Sequence, residues 1–299
     1  MIVAVASGKG GTGKTTVAAA LARIWGGDRI AVDMDVETPN LHLFLSPSIA
    51  GEQDSTLEVP VVAHPDRCNG CGKCSEICAF KAIVTLGGRP VVFPDMCHAC
   101  GGCLEVCGRG VLQPGKRVLG SVRWGTATGD TERDPGSLSF LMGQLNVGEA
   151  MSPPLIREIG NCLASMLEQT GGDAIIDAPP GTSCPAMSAV RDADVLVLVS
   201  EPTPFGLHDL QLAWRAFASA GKPAGVVINR AGWEGGAGDA AMYGFCRDEG
   251  LPVLAEFPFE RMVAEAYAKG LSLDRASSRH RHAVAKLVSR VSALGSAAQ

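Results

Sequence analysis

Gly8-Lys9-Gly10-Gly11-Thr12-Gly13-Lys14-Thr15-Thr16 follows directly on the apolar run Ile2–Ala6 and leads into a helical pattern from Lys14 to Trp25. Glycines at these spacings let successive backbone N–H groups turn inward around an anion. Lys14 would reach the β- and γ-phosphates of a nucleotide, and the Thr15 hydroxyl would bind Mg²⁺. The helix that starts here offers its positive end to the same anion. Gly8, Gly10 and Gly13, with Asp33 about 20 residues on, also fit the spacing of a dinucleotide fold. That reading leaves Lys9, Lys14 and Thr15 without a task, whereas a phosphate loop uses all three.

Outward from this loop, Ile30–Val32 reads as a second buried strand ending in acidic residues, so the chain opens strand–loop–helix–strand, the pattern of a parallel α/β sheet. The alternation then breaks. Residues 59–117 are rich in Cys, Gly and Pro and lack helical periodicity. It resumes with a helix over Leu155–Gln169 and a strand over Ala174–Asp177. A strand over Val195–Ser200, a helix over Leu207–Ala220, strands at Val226–Asn229 and Val253–Phe257, and two closing helices follow. The expected fold class is therefore α/β, a mostly parallel sheet with helices on both faces. Its two parts, residues 1–58 and 118–299, are expected to be separated by a small α+β insertion over 59–117.

Eight of the eleven cysteines crowd into that insertion. Cys68-x₂-Cys71-x₂-Cys74-x₃-Cys78 is followed, after 18 residues, by Cys97-x₂-Cys100-x₂-Cys103-x₃-Cys107. This is the bacterial ferredoxin run, twice over, in which the fourth cysteine of each run ligates the other cluster. Cys68, Cys71, Cys74 and Cys107 are expected to hold one 4Fe-4S cluster, and Cys78, Cys97, Cys100 and Cys103 the second. Zinc prefers CxxC pairs or Cys/His mixtures at longer separation. Proline often follows the fourth cysteine, but Ala79 and Gly108 stand there instead. No ligand is lost by this. His98, inside the second run, reads as a solvated loop residue. Cys162 and Cys246 read as small core hydrophobes.

Bulk composition narrows the class further. Net charge is −5 and charged residues are 19% of the chain, which argues against a broad nucleic-acid surface. No stretch approaches the ~20 apolar residues of a membrane span, and the N-terminal apolar run is too short for a signal core. A cytoplasmic protein is expected, and in that reducing compartment the cysteines are not expected to form disulfides. The face Val284, Leu287, Val288, Val291 and Leu294 carries no Trp or Phe, so the last helix is expected to pack on the sheet rather than on a membrane.

Lys9-Gly10-Gly11-Thr12-Gly13-Lys14-Thr15-Thr16 resembles the deviant Walker A loop of the MinD/ParA/Mrp class of ATPases, and the whole chain resembles members of that superfamily with an inserted ferredoxin domain. The resemblance implies an ATP-dependent homodimer in which Lys9 reaches the partner's nucleotide and Lys14 is the ordinary phosphate lysine. Asp33-Met34-Asp35 is similar to switch I, with Asp35 orienting the attacking water. Asp177-Ala178-Pro179-Pro180-Gly181-Thr182 is similar to the metal-binding strand end running into switch II. There Asp177 holds Mg²⁺ through its water shell and the Gly181 N–H senses the γ-phosphate. Asn229-Arg230 resembles the adenine-reading segment. Cys184 lies in switch II, a segment in which the nitrogenase iron protein places a cluster ligand at its dimer axis, although by itself it reads as a core or turn residue. Three functions are compatible with these parts. One is nucleotide-gated electron transfer through the clusters to a redox or metalloprotein partner. The second is assembly of a metal cluster or cofactor into a target protein. The third is ParA/MinD-like positioning.

Overall fold

The computed structural model describes residues 1–129, 136–232, 236 and 238–297. The chain divides into two compact units, one comprising Met1–Gln53, Val122–Gln144 and Ser152–Gln299, the other Asp54–Ser121 and Leu145–Met151.

The first unit opens with β1 (Ile2–Ala6), α1 (Lys14–Ile24), β2 (Arg29–Asp33) and α2 (Leu41–Leu45). β3 (Ser48–Val62) runs out of this unit, and β6 (Leu112–Ala127) returns to it. β7 (Leu138–Leu145), α5 (Ser152–Thr170), β8 (Asp173–Asp177), α6 (Cys184–Val190), β9 (Val195–Ser200) and α7 (Pro204–Ala218) follow. β10 (Ala224–Ala231), α8 (Asp239–Asp248), β11 (Val253–Pro258), α9 (Arg261–Ala268) and α10 (Ser278–Ser296) complete it. Strand order is β11-β10-β9-β1-β8-β2-β7-β6-β3. β1 pairs in parallel with β8 and β9, β2 with β8 and β7, and β10 with β9 and β11. The central strands are buried on both faces, which is why β1 and β9 read as unbroken apolar runs. The expected α/β class and mostly parallel sheet are what the structure shows.

Val284, Leu287 and Val291 of α10 are buried in the main core, so this helix packs on the sheet as its apolar stripe requires. Arg29 is an unexpected core residue at 2% exposure. Its guanidinium donates to the carbonyls of Ala22, Gly27, Arg23 and Gly136, which replaces the water it lost.

The second unit contains α3 (Lys73–Ile77), the antiparallel hairpin β4 (Ile83–Leu86) and β5 (Arg89–Val92), and α4 (Gly102–Glu105), with parts of β3 and β6. Its small core gathers Leu57, Val59, Ala82, Cys97 and Leu119, with Leu145 and Met151 packed against them. The 145–151 segment is also held by polar contacts within this unit. Asn146 donates from its backbone to the Leu119 carbonyl at 2.8 Å, and Glu149 pairs with Arg117 at 3.0 Å. Among the described residues no helix is long and apolar enough to cross a membrane.

Candidate functional site: a phosphate cradle and two cysteine cavities

The loop between β1 and α1 leaves the sheet at the carboxyl end of a central strand, where parallel α/β sheets place their ligands. Gly11 and Gly13 adopt φ of 82° and 89°. At Gly13 a Cβ would lie 2.2 Å from Asn229 Nδ2, so only glycine fits the turn. α1 begins at Lys14 with no acidic residue in its first turn, so nothing on the helix competes for its N-terminal amides.

Lys14 Nζ lies 2.5 Å from Asp177 Oδ1, and the two side chains are 6% and 1% exposed. The register of β2 on β8 sets Asp33 opposite Asp177. With Asp35, which also feels the Lys14 charge, three carboxyls gather around one ammonium. Burial and then the Asp177 charge push the Asp33 carboxyl well above the ordinary range, although the Leu41 N–H and Lys14 oppose the shift. Asp35 is pushed up too, chiefly by burial. Thr12 Oγ1 and Asp177 Oδ2 are buried and have no hydrogen-bond partner. Two orphaned oxygens flanking a lysine suit a ligand that brings both negative charge and a hard cation.

A cavity of about 470 Å³ runs along this loop, lined by Lys9, Gly10, Gly11, Gly13, Lys14, Thr15, Thr16, Asp35, Asn229 and Arg230. Its far wall is apolar, with Phe44, Val263, Tyr267 and Leu273. The Phe44 and Tyr267 rings meet there at a centroid distance of 5.7 Å. Gly8 lies against the Asp209 backbone, and Lys9 Nζ stands 4.0 Å from Asp209 Oδ2. The Gly181 N–H donates to the Ser7 carbonyl at 2.9 Å, which ties the segment after β8 to the start of the loop. Asn229 Nδ2 donates to the Thr12 carbonyl at 2.8 Å, and Arg230, at φ 58°, pairs with Glu201 and donates to the Gly11 carbonyl. The structure thus brings every nucleotide-site residue expected from the sequence around one loop. No site role was expected of Asp209, Glu201, Phe44 or Tyr267, because only the fold carries them to it. Cys184 is exposed at the first position of α6.

In the second unit the cysteines fall into two groups. Cys68, Cys71, Cys74 and Cys107 line one cavity of about 330 Å³. Cys78, Cys97, Cys100 and Cys103 line another, with about 30 Å³ of free space. The two runs repeat their backbone geometry. Gly70 and Ala99 stand at φ 71° and 55°, Gly72 and Gly101 at 78° and 72°, and Lys81 and Gly110 at 55° and 62°. Ala99 and Lys81 hold a conformation that normally falls to glycine. The turns aim amides at sulfur, from Gly70 to Cys68, Ala99 to Cys97 and Ala82 to Cys78 at 3.5, 3.4 and 3.2 Å. At Cys78 and Cys107 burial pushes the thiol up, but a cluster of backbone N–H groups outweighs it and lowers both. Cys74 and Cys103 are raised, chiefly by burial. Among the described residues no three His, Cys, Asp or Glu side chains converge as the ligands of a single ion do.

Two of the bland expectations change. His98 is exposed but not merely solvated, since its ring stacks on Phe80 at 3.6 Å and 9°. Cys162 is only partly buried and so is not a core residue, because its turn of α5 lies at the helix surface, whereas Cys246 is buried.

Residues 3–273 match the CobQ/CobB/MinD/ParA nucleotide-binding domain. The chain belongs to this family. Two relatives from Methanocaldococcus jannaschii are similar to it. Uncharacterized protein MJ0578 is 35% identical over 214 residues, 70% of each chain, and uncharacterized protein MJ0579 is 29% identical over 280 residues, 91% of each. Among solved structures the fold is like that of the Pyrococcus furiosus cell division ATPase MinD, with a TM-score of 0.57, 21% identity and 98% of each chain covered. The septum site-determining protein MinD of Pyrococcus horikoshii OT3, complexed with Mg-ADP, gives 0.59 and 20%, over 97% of this chain and 95% of that one. The nucleotide-binding fold is therefore that of a MinD/ParA family member.

Proposed function

We propose that this protein binds and hydrolyses ATP with Mg²⁺ and carries two 4Fe-4S clusters in its second unit. We further propose that it forms an ATP-dependent homodimer that controls electron delivery to a redox or metalloprotein partner. The observation that carries the reading is the division of eight cysteines into two cavities, four to each, on a chain that also holds a phosphate loop. Thiols arranged around a space suit a group with several metal corners. A lone zinc would need four ligands within about 2.3 Å of one point. At the tighter second cavity the donor set, rather than the free volume, recommends the cluster.

Lys14 would exchange Asp177 for the β- and γ-phosphates, which frees an Asp177 oxygen to join Thr15 in holding Mg²⁺. Asp35 would orient the attacking water. Asn229 and Arg230 would border the base, and the loop amides of Gly8, Gly10, Gly11, Thr12 and Gly13 would cradle the phosphates, with Thr16 beside them. Gly181 would report the γ-phosphate to the segment bearing Cys184. When bound, each cluster stores and passes one electron. The likeness to MinD favours positioning as a second reading, but that leaves eight cysteines without a role.

Anoxically purified protein is expected to contain about eight irons per chain, from two cubanes. Stoichiometric zinc with little iron would overturn the reading. Lys9→Ala is expected to weaken the ATP-dependent dimer at least tenfold and leave nucleotide binding by the monomer within a few-fold. The long, partly solvated pairing of Lys9 with Asp209 is worth at most ~1 kcal/mol, so Lys9 is easily released to a partner subunit. Analytical ultracentrifugation with and without ATP measures this, and equal loss of both properties would refute a role across the dimer.

A further inference from the structure

The first cysteine cavity has a hydroxyl in its wall that neither ligand run supplies, and the second has none. β4 runs from one to the other, so Ile83 lines the second cavity and Thr85, two residues on and on the same face, lines the first. Directly across the hairpin from Thr85 is Pro90, which lines the same first cavity. Thr85 Oγ1 is buried, and the acceptor it meets is the Cys74 thiol, whose ionised form it stabilises. A buried hydroxyl without an acceptor costs free energy, and here the acceptor is a sulfur of the cavity itself. Threonine suits a strand by its β-branch, but valine would fill the same volume without that cost. No Ser, Thr or Tyr lines the second cavity, whose wall is apolar apart from its cysteines and Glu58.

We propose that the Thr85 hydroxyl donates a hydrogen bond to the sulfur of the cluster held by Cys68, Cys71, Cys74 and Cys107, and thereby raises the reduction potential of that cluster relative to the second. This rests on the two-cluster reading above. The physical basis is charge. Reduction adds one negative charge to the cluster, and a donor aimed at sulfur stabilises that extra charge more than it stabilises the oxidised form. Lys73 and Arg109 also line the first cavity, but both are exposed, so solvent and salt screen them. The hydroxyl, inside the wall, is not screened. Thr85 is thus a positioning and tuning residue, and with it the first cluster is the preferred resting place of an electron shared between the two.

The test is a potentiometric titration followed by electron paramagnetic resonance, on the full chain purified without oxygen, for wild type, Thr85→Val and Thr85→Ser. Thr85→Val is expected to lower one midpoint by a tenfold change in the reduction equilibrium, about 59 mV for a one-electron couple. The other midpoint stays in place. Thr85→Ser, which keeps the hydroxyl, is expected to return the midpoint toward wild type. Iron is counted in every sample. If wild type holds no iron, the two-cluster reading fails and this proposal with it. If all three hold eight irons and Thr85→Val leaves both midpoints in place, or moves both equally, the role of Thr85 alone is overturned. Loss of four irons from Thr85→Val would overturn it too, since a group that only tunes does not hold the cluster.

Discussion

Replacing Lys14 with alanine is expected to remove nucleotide binding and also to weaken the nucleotide-free fold. Truncating one member of a buried charge pair costs about 2–5 kcal/mol in binding, roughly a 30- to several-thousand-fold loss of affinity. The free protein should lose about 3–5 kcal/mol of stability, because Asp177 is left buried opposite Asp33 without its cation. Calorimetric titration with ATP and thermal melts measure the two effects. They can be separated by Lys14→Ala combined with Asp177→Asn, which is expected to recover the melt but not the binding. Affinity within a few-fold of wild type in Lys14→Ala would show that the loop amides suffice and that Lys14 serves only the fold.

Asp35→Ala is expected to slow ATP hydrolysis by about 10²- to 10⁴-fold, the usual worth of a positioned acid–base group, with ATP affinity nearly unchanged. Burial raises the wild-type Asp35 carboxyl above its ordinary value of 3.8. If hydrolysis uses the carboxylate, activity falls as pH drops through that raised value, so the acid limb lies above the ordinary carboxylate range. The limb should vanish in Asp35→Ala. The same variant, held in its ATP state, tests coupling between the two chemistries. Asp33 and Asp35 precede the second unit in sequence and Asp177 follows it, so the chain passes through that unit twice between its two switch segments. Cluster midpoints in Asp35→Ala are expected to differ with and without Mg-ATP. Superimposable titrations would mean that the clusters merely share a chain with the ATPase.

Much of the first unit could be read in advance because buried parallel strands are apolar throughout and their ends carry the acidic residues. Ile2–Ala6, Ala174–Asp177 and Val195–Ser200 show this plainly. β3, β6 and β7 escaped. β3 and β6 stand at one end of the sheet and expose much of their length, so Gln53, Asp54, Lys116 and Arg117 interrupt any apolar pattern. Within the site, residues joined to the phosphate loop by short local geometry were legible, since spacing along the chain determines where they point. Phe44 and Tyr267 were not, because nothing near them in sequence marks the loop they meet. Thr85 was invisible for another reason. Its meaning lies in the sulfur it faces, and a sequence cannot show that a hydroxyl on β4 meets Cys74.

The second unit draws on two separate stretches, Asp54–Ser121 and Leu145–Met151, and that bears on its ancestry. A single inserted segment could have delivered the first stretch in one event. It could not have delivered Leu145 and Met151, which complete the small core, or Glu149, which neutralises Arg117. Those residues belong to the end of β7 and its connection to α5. A chain stripped of the cysteine stretch would strand two apolar side chains and one acid there.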